Sequence, residues 1–234
     1  MKTSRRATKI AGTLIIVGMI AGALSVVPVL EEPNYLDLVP AHKTQILVGA
    51  VCQALMIPTS IGFALYLHPI LRIESEALSL GFLGFRLIAA TFHFMGVILL
   101  PLFLVLGQEY AQAGASGTSH LETLGELLRT ARDLVNHVAL IISLSLGDLL
   151  FFCILYRSRF IPRRLSAWGI IGVGLAMSAS FMVLLRLADV VTPIYLAINA
   201  PLALQGLVLA MWLITKGFDT KASTRGQRLD GRRD

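Results

Sequence analysis

Arg86, His93, His137 and Asp148 stand inside long apolar runs of the sequence, where an ionisable group is costly and marks either a structural pairing or a site of function. Arg86 and His93 are seven residues apart and His137 and Asp148 eleven apart, so on helices each pair lies on nearly one face. Counted along the helical rise, Arg86 falls about 9 Å and Asp148 about 12 Å from the same membrane boundary. The depths match within a turn, and the spacing therefore predicts a buried ion pair between the two. Such a pair either clasps helices together or borders a cytoplasm-facing polar cavity in which Arg86 holds an anionic or carbonyl-bearing group. Arg86, Asp148 and His93 form the candidate site. Gln53, His137, Asn199 and Gln205 are secondary polar groups, of which the three amides can hydrogen-bond between helices.

Several chemistries are excluded by the same residues. A b-type haem held between two imidazoles needs both at one level, whereas His68 falls near the inner boundary, His93 near the midplane and His137 near the outer boundary. Ser145-Leu146-Gly147-Asp148 is close to the Gly-x-Gly-Asp of intramembrane aspartyl proteases, but Asp148 is the one acid well inside an apolar run and a carboxylate dyad needs two. There is no His-Glu-x-x-His zinc motif, no Gly-x-Ser-x-Gly elbow and no Gly-rich phosphate loop with Lys. Cys52 and Cys153 are expected to be free, buried thiols, because their depths differ by roughly 14 Å and a disulfide needs much closer alpha carbons. Neither a cofactor, a metal nor a catalytic constellation is implied.

The elements that must position these groups are membrane-spanning helices. The chain has 234 residues, 56% of them apolar and only 15% charged, against about a quarter charged in soluble domains. Its mean hydropathy is +0.75. Six apolar stretches can each cross a bilayer: Ile10 to Leu30, Gln45 to Leu71, Leu80 to Leu106, Leu134 to Tyr156, Ala167 to Leu187 and Tyr195 to Thr215. Pro58 and Pro101 are the expected kinks in the second and third. Of the 20 Lys and Arg residues, 15 fall on the side that carries both chain ends and 3 on the other. This bias predicts that both termini are cytoplasmic. The net charge of +6 thereby becomes a topology signal instead of a sign of nucleic-acid binding. The basic rim is expected to meet anionic lipid. The first segment also fits a cleaved signal peptide, with Ala21-Gly22-Ala23 as the cleavage site, although its apolar run continues past Val26.

Between the third and fourth spans, Leu121, Leu124, Leu128, Ala131, Val135 and Val138 recur at helical spacing behind a capping-box pattern, Ser119 and Glu122. The pattern predicts an amphipathic external helix that lies on the outer surface or runs into the fourth span. Gln108 to Thr118 reads as a flexible link. Residues 1–218 are expected to form one six-helix domain, and residues 219–234 a polar, disordered cytoplasmic tail. Gly18 with Gly22, and Gly174 with Ser178, allow close helix approach either within the bundle or in a homodimer.

The chain resembles a family of small bacterial multi-pass membrane proteins catalogued only as a domain of unknown function, over about residues 5–218. The resemblance rests on Gly84-Phe85-Arg86-Leu87-Ile88, on the basic loop from Leu155 through Arg157, Arg159, Pro162, Arg163 and Arg164 to Trp168-Gly169, on Ala200-Pro201-Leu202-Ala203-Leu204-Gln205, and on Trp212-Leu213-Ile214-Thr215-Lys216-Gly217-Phe218. Family members often carry an acid where this chain has Ala89, and another where it has Gly206. The resemblance implies an all-α bundle in the cytoplasmic membrane and brings no activity. Two function classes follow: binding or moving a small molecule, lipid or proton through a polar cavity, or a non-catalytic structural or regulatory role in which the same residues are clasps.

Overall fold

The structure, a computed structural model, describes residues 2–113, 118–190 and 192–219. Every regular element among them is helical. The elements are α1 (Lys2–Leu24), α2 (Tyr35–Leu38), α3 (Lys43–Leu71), α4 (Glu76–Gln112), α5 (Thr118–Asp133), α6 (Leu140–Ser158), α7 (Arg163–Leu184) and α8 (Pro193–Thr215). Tight 3-10 turns at Pro28–Glu31 and Val39–His42 flank α2, and a π-helical stretch at Leu134–Ala139 joins α5 to α6 without a break. Six helical stretches are long and apolar enough to cross a membrane, and the protein is a multi-pass membrane protein.

Local chemistry explains where these helices begin. The Ser75 hydroxyl accepts the Leu78 amide at 3.4 Å to start α4, and the Thr192 hydroxyl accepts the Tyr195 amide at 3.3 Å ahead of Pro193, the first residue of α8. Pro58 and Pro69 lie within α3 and Pro101 within α4, so each ring removes a backbone donor without ending its helix.

The six long helices close into a ring in chain order. α1 packs on α3, α3 on α4, α4 on α6, α6 on α7 and α7 on α8, which returns to α1. At the closing seam a Cβ on Gly12 would stand 2.7 Å from the Ala210 carbonyl oxygen, so only glycine lets α1 and α8 approach this closely. The end of the ring that gathers the start of α1, the α3–α4 and α6–α7 links and the end of α8 is here called the basal end. Its interior is filled by apolar side chains from all six helices, among them Ala11, Phe63, Phe82, Phe151, Val173 and Leu213. Phe82 stacks on Phe151 at 5.0 Å, and Phe63 meets both edge-on at 5.7 and 5.4 Å.

The opposite end, the cap, departs from the sequence expectation. The first span stops at Leu24 and not Leu30; Val29 and Leu30 instead join Tyr35, Leu36, Val39, Leu100 and Phe103 in a separate apolar core. Leu121 and Leu128 of α5 pack on this core, so the amphipathic helix covers the cap and also runs on into α6. Ser119 already lies inside α5, and Glu122 accepts the Tyr110 hydroxyl at 3.1 Å rather than closing a capping box with Ser119. Of the link expected over Gln108 to Thr118, Gln108 to Gln112 instead continue α4, and residues 114–117 lie outside the described residues. α7 ends at Leu184, short of the expected Leu187, where Arg186 adopts a left-handed conformation with φ of 56°. Gly18 and Gly22 face Thr59 and Met56 on α3, inside the ring, whereas Gly174 faces open space. Both cysteines are free and partly exposed, less buried than expected. The tail expected beyond Asp219 lies outside the described residues.

Candidate functional site

Arg86 projects from α4 to a junction with α3 and α6. One of its Nη atoms donates to Asp148 on α6, and the other donates to the Ser60 hydroxyl on α3 at 3.2 Å. The expected ion pair is present and has a third partner that sequence spacing did not find. Gly147 brings α6 in: a Cβ there would stand 3.1 Å from the Phe85 Cβ and 3.4 Å from the Phe82 carbonyl oxygen. A larger residue beside Asp148 would hold the carboxylate away from α4. The guanidinium also lies over the rings of Phe63 and Phe82, 5.1 and 5.4 Å from their centroids. Their electron-rich faces stabilise the cation where water is scarce. The side chains of Arg86 and Asp148 keep 12% and 18% of their surface. The Arg86 Nε is buried, with no hydrogen-bond partner among the described residues.

Ten residues further along α4, about 15 Å by helical rise, the same three-way junction carries a second polar level. A Cβ on Gly96 would stand 2.6 Å from Asn136 Oδ1 and 2.8 Å from Gln53 Oε1. Both oxygens are buried, and neither has a hydrogen-bond partner among the described residues. His93, only 3% exposed, lies between the two levels within about 20° of the direction of Arg86. Asn136 belongs to the π-helical stretch, a geometry that is rare and recurs at functional sites. In that stretch the Ser180 hydroxyl of α7 donates to the His137 carbonyl at 2.7 Å, and His137 Nδ1 lies 2.9 Å from the Tyr195 hydroxyl of α8. A polar seam thus climbs from Arg86 towards the cap.

Comparison with known proteins decides the family. The family model Domain of unknown function (DUF4386) matches residues 10–217. The chain belongs to this family. No curated protein and no solved structure matches the chain significantly.

Two positions where the resemblance led to the expectation of an acid can now be placed. Ala89 is fully buried on α4 one turn from Arg86. Gly206 is on α8, which packs against α1 and α7, and a Cβ there would meet nothing within 4 Å. An acid at position 206 would point away from this bundle's interior and could not face Arg86.

The remaining polar groups divide differently from the sequence expectation. Gln205 is buried and its Nε2 donates to the Leu165 carbonyl of α7 at 3.3 Å, an interhelical bond. Asn199 donates within its own helix, to the Tyr195 carbonyl at 2.9 Å, because its side chain reaches back one turn. Around Arg86, Phe63, Phe82 and Phe151 lie on the basal side, whereas Gln53, Gly96 and Asn136 lie towards the cap. Among the described residues no cluster of three or more His, Cys, Asp or Glu could hold a metal ion.

Sequence reasoning missed a second buried arginine. Arg132, at the end of α5, is 7% exposed and pairs with Glu31 and with Asp133, the latter at 2.9 Å. Nearby, Arg129 lies 5.4 Å from the centroid of Tyr35 and pairs with Glu126 at 2.9 Å. Glu31 and Arg132 are 101 residues apart and both flank apolar runs, so each reads as an ordinary loop charge. The available signal was Arg132-Asp133, adjacent charges directly before a long apolar run.

Proposed function

We propose that this membrane protein binds or passes a small polar species, a solute or a proton, along the seam from Arg86 through His93 to Gln53 and Asn136. The observation that carries this reading is a set of three buried polar atoms on one junction with no partner among the described residues: Arg86 Nε, Gln53 Oε1 and Asn136 Oδ1. In hydrocarbon each such atom costs several kcal/mol unless something else satisfies it. A water chain or a small polar solute supplies donors for the two oxygens and an acceptor for Nε. The distribution of Lys and Arg supports a cytoplasmic basal end in the cell membrane. The seam then opens, through the cap, to the opposite side.

A second reading has its own support. Arg86 is held by a carboxylate, a hydroxyl and two ring faces, which is how a clasp between α3, α4 and α6 would be built.

Thiol labelling separates the two. In a background with Cys52 and Cys153 replaced by alanine, Ser60→Cys and Gly96→Cys are expected to react with a small, membrane-impermeant methanethiosulfonate from the cap side, and Leu87→Cys, an exposed apolar position on α4, is expected not to react. If Ser60→Cys and Gly96→Cys stay unlabelled in the folded protein, the seam is dry and the clasp reading stands.

A further inference from the structure

The basal end holds a cleft of about 420 Å³ lined by residues 159–163 together with Trp212 and Asp219. Its volume is in the range of small-molecule sites, and its lining sets two arginines against one acid. Lys216 stands just outside, its ammonium 4.2 Å from the Trp212 ring centroid. The Arg163 guanidinium lies 5.2 Å from the Tyr156 ring centroid. Two arginines and a tryptophan therefore share one cleft between the α6–α7 link and the end of α8. The Asp219 amide donates to the Phe160 carbonyl at 3.0 Å, tying the chain beyond α8 to the α6–α7 link and holding the cleft walls together.

The end of α6 places Arg159 at this cleft. Arg159 ends α6 in the left-handed conformation, with φ of 57°, and its amide donates to the Leu155 carbonyl at 3.1 Å. Glycine or asparagine normally fills that position because a larger side chain is strained there. Arg186, just beyond α7, has the same conformation, and at Arg159 it is found in the wall of the cleft.

We propose that this cleft binds a phosphate-bearing anion, with Arg159 and Arg163 as the phosphate ligands and Trp212 as the apolar wall. Guanidinium forks match phosphate oxygens two at a time. The tryptophan ring suits the boundary between headgroup and acyl chain. The chemistry is shared by the headgroup of an anionic lipid and by free phosphate, and the position at the membrane boundary makes a lipid the nearer source.

The test uses the full chain in phosphatidylcholine nanodiscs, with and without added phosphatidylglycerol, and reads the thermal midpoint. The wild type is expected to gain several degrees from phosphatidylglycerol. Arg159→Gly and Arg163→Gln should each lose more than half of that gain. Arg72→Gln, a basic basal residue outside the cleft, should keep it. Arg159→Gly removes the charge while relieving the left-handed strain, so its midpoint in phosphatidylcholine alone should equal or exceed the wild type's; if it falls, Arg163→Gln carries the test. Millimolar inorganic phosphate added to phosphatidylcholine nanodiscs distinguishes the sources. An equal gain there identifies free phosphate as the ligand, and no gain identifies the lipid. The proposal is overturned if neither ligand stabilises the wild type, or if Arg72→Gln loses as much as the cleft variants.

Discussion

Arg86 and Arg132 are both removed from solvent, and the protein keeps each charge there by different means. Arg132 sits under the cap between two acids, Glu31 and Asp133, and the Glu31 side chain still exposes 33% of its surface. Arg86 sits between spanning helices with one acid, one hydroxyl and two aromatic faces. The contrast follows from the cost of burying charge. Near water a second carboxylate is cheap and adds attraction, whereas deep in a bundle each added ion brings its own desolvation penalty. Ring faces and a hydroxyl solvate a guanidinium without adding a charge. Arg132 therefore has redundant partners, and Arg86 has a single counter-ion on which it depends.

The largest effect should come from removing that counter-ion. Asp148→Ala leaves Arg86 buried and unpaired and is expected to lower stability by about 3–5 kcal/mol, read as the unfolding midpoint in detergent or nanodiscs; an unchanged midpoint would sink the idea that Arg86 depends on Asp148. Gly147→Leu keeps both charges but wedges α6 from α4, with an expected loss of about 1–3 kcal/mol. A Ser60→Cys probe should become more reactive in that background, because the junction opens.

Glu31→Gln tests the other member of the comparison. Asp133 remains in place, so the loss should stay within about 1 kcal/mol. Adding Asp133→Asn should then cost more than the two single changes together, because only the double variant strands Arg132. Additive losses would show that the two acids are not redundant. The smallest effect on stability is expected from Gly96→Ala. Its methyl enters the space between Gln53 and Asn136, whose flexible amide ends must swing aside from contacts of 2.8 and 2.6 Å. The midpoint should move by under about 1 kcal/mol equivalent, while labelling of Ser60→Cys from the cap side should slow several-fold. Undiminished labelling would place the access route elsewhere.

How far each site was legible in the sequence follows the same division. The six spans announce themselves as uncharged apolar runs, and Arg86 and Asp148 are conspicuous because charges are rare inside them. Matching their depths needed only the helical rise. The cap was illegible because Val29 and Leu30 are as apolar as any membrane residue, and nothing local says that the chain has left α1 at Leu24. Glu31 and Arg132 look like loop charges until tertiary packing brings them together. Ser60, Gly96 and Asn136 gave no signal either. Small and amide residues are ordinary in spanning helices, and their significance lies in which oxygens are left without partners, a property of the packed bundle.

The π-helical stretch at Leu134–Ala139 sets the phase between two differently oriented faces of one continuous rod. Upstream, α5 must turn Leu121 and Leu128 down onto the cap; downstream, α6 must turn Asp148 in towards Arg86. A uniform α-helix advances by about 100° per residue. Wound as a regular α-helix, the same residues would rotate everything after the stretch by roughly that angle. Either the cap would lose its lid or the carboxylate would leave the junction. The local irregularity is what allows one helix to serve both ends of the molecule.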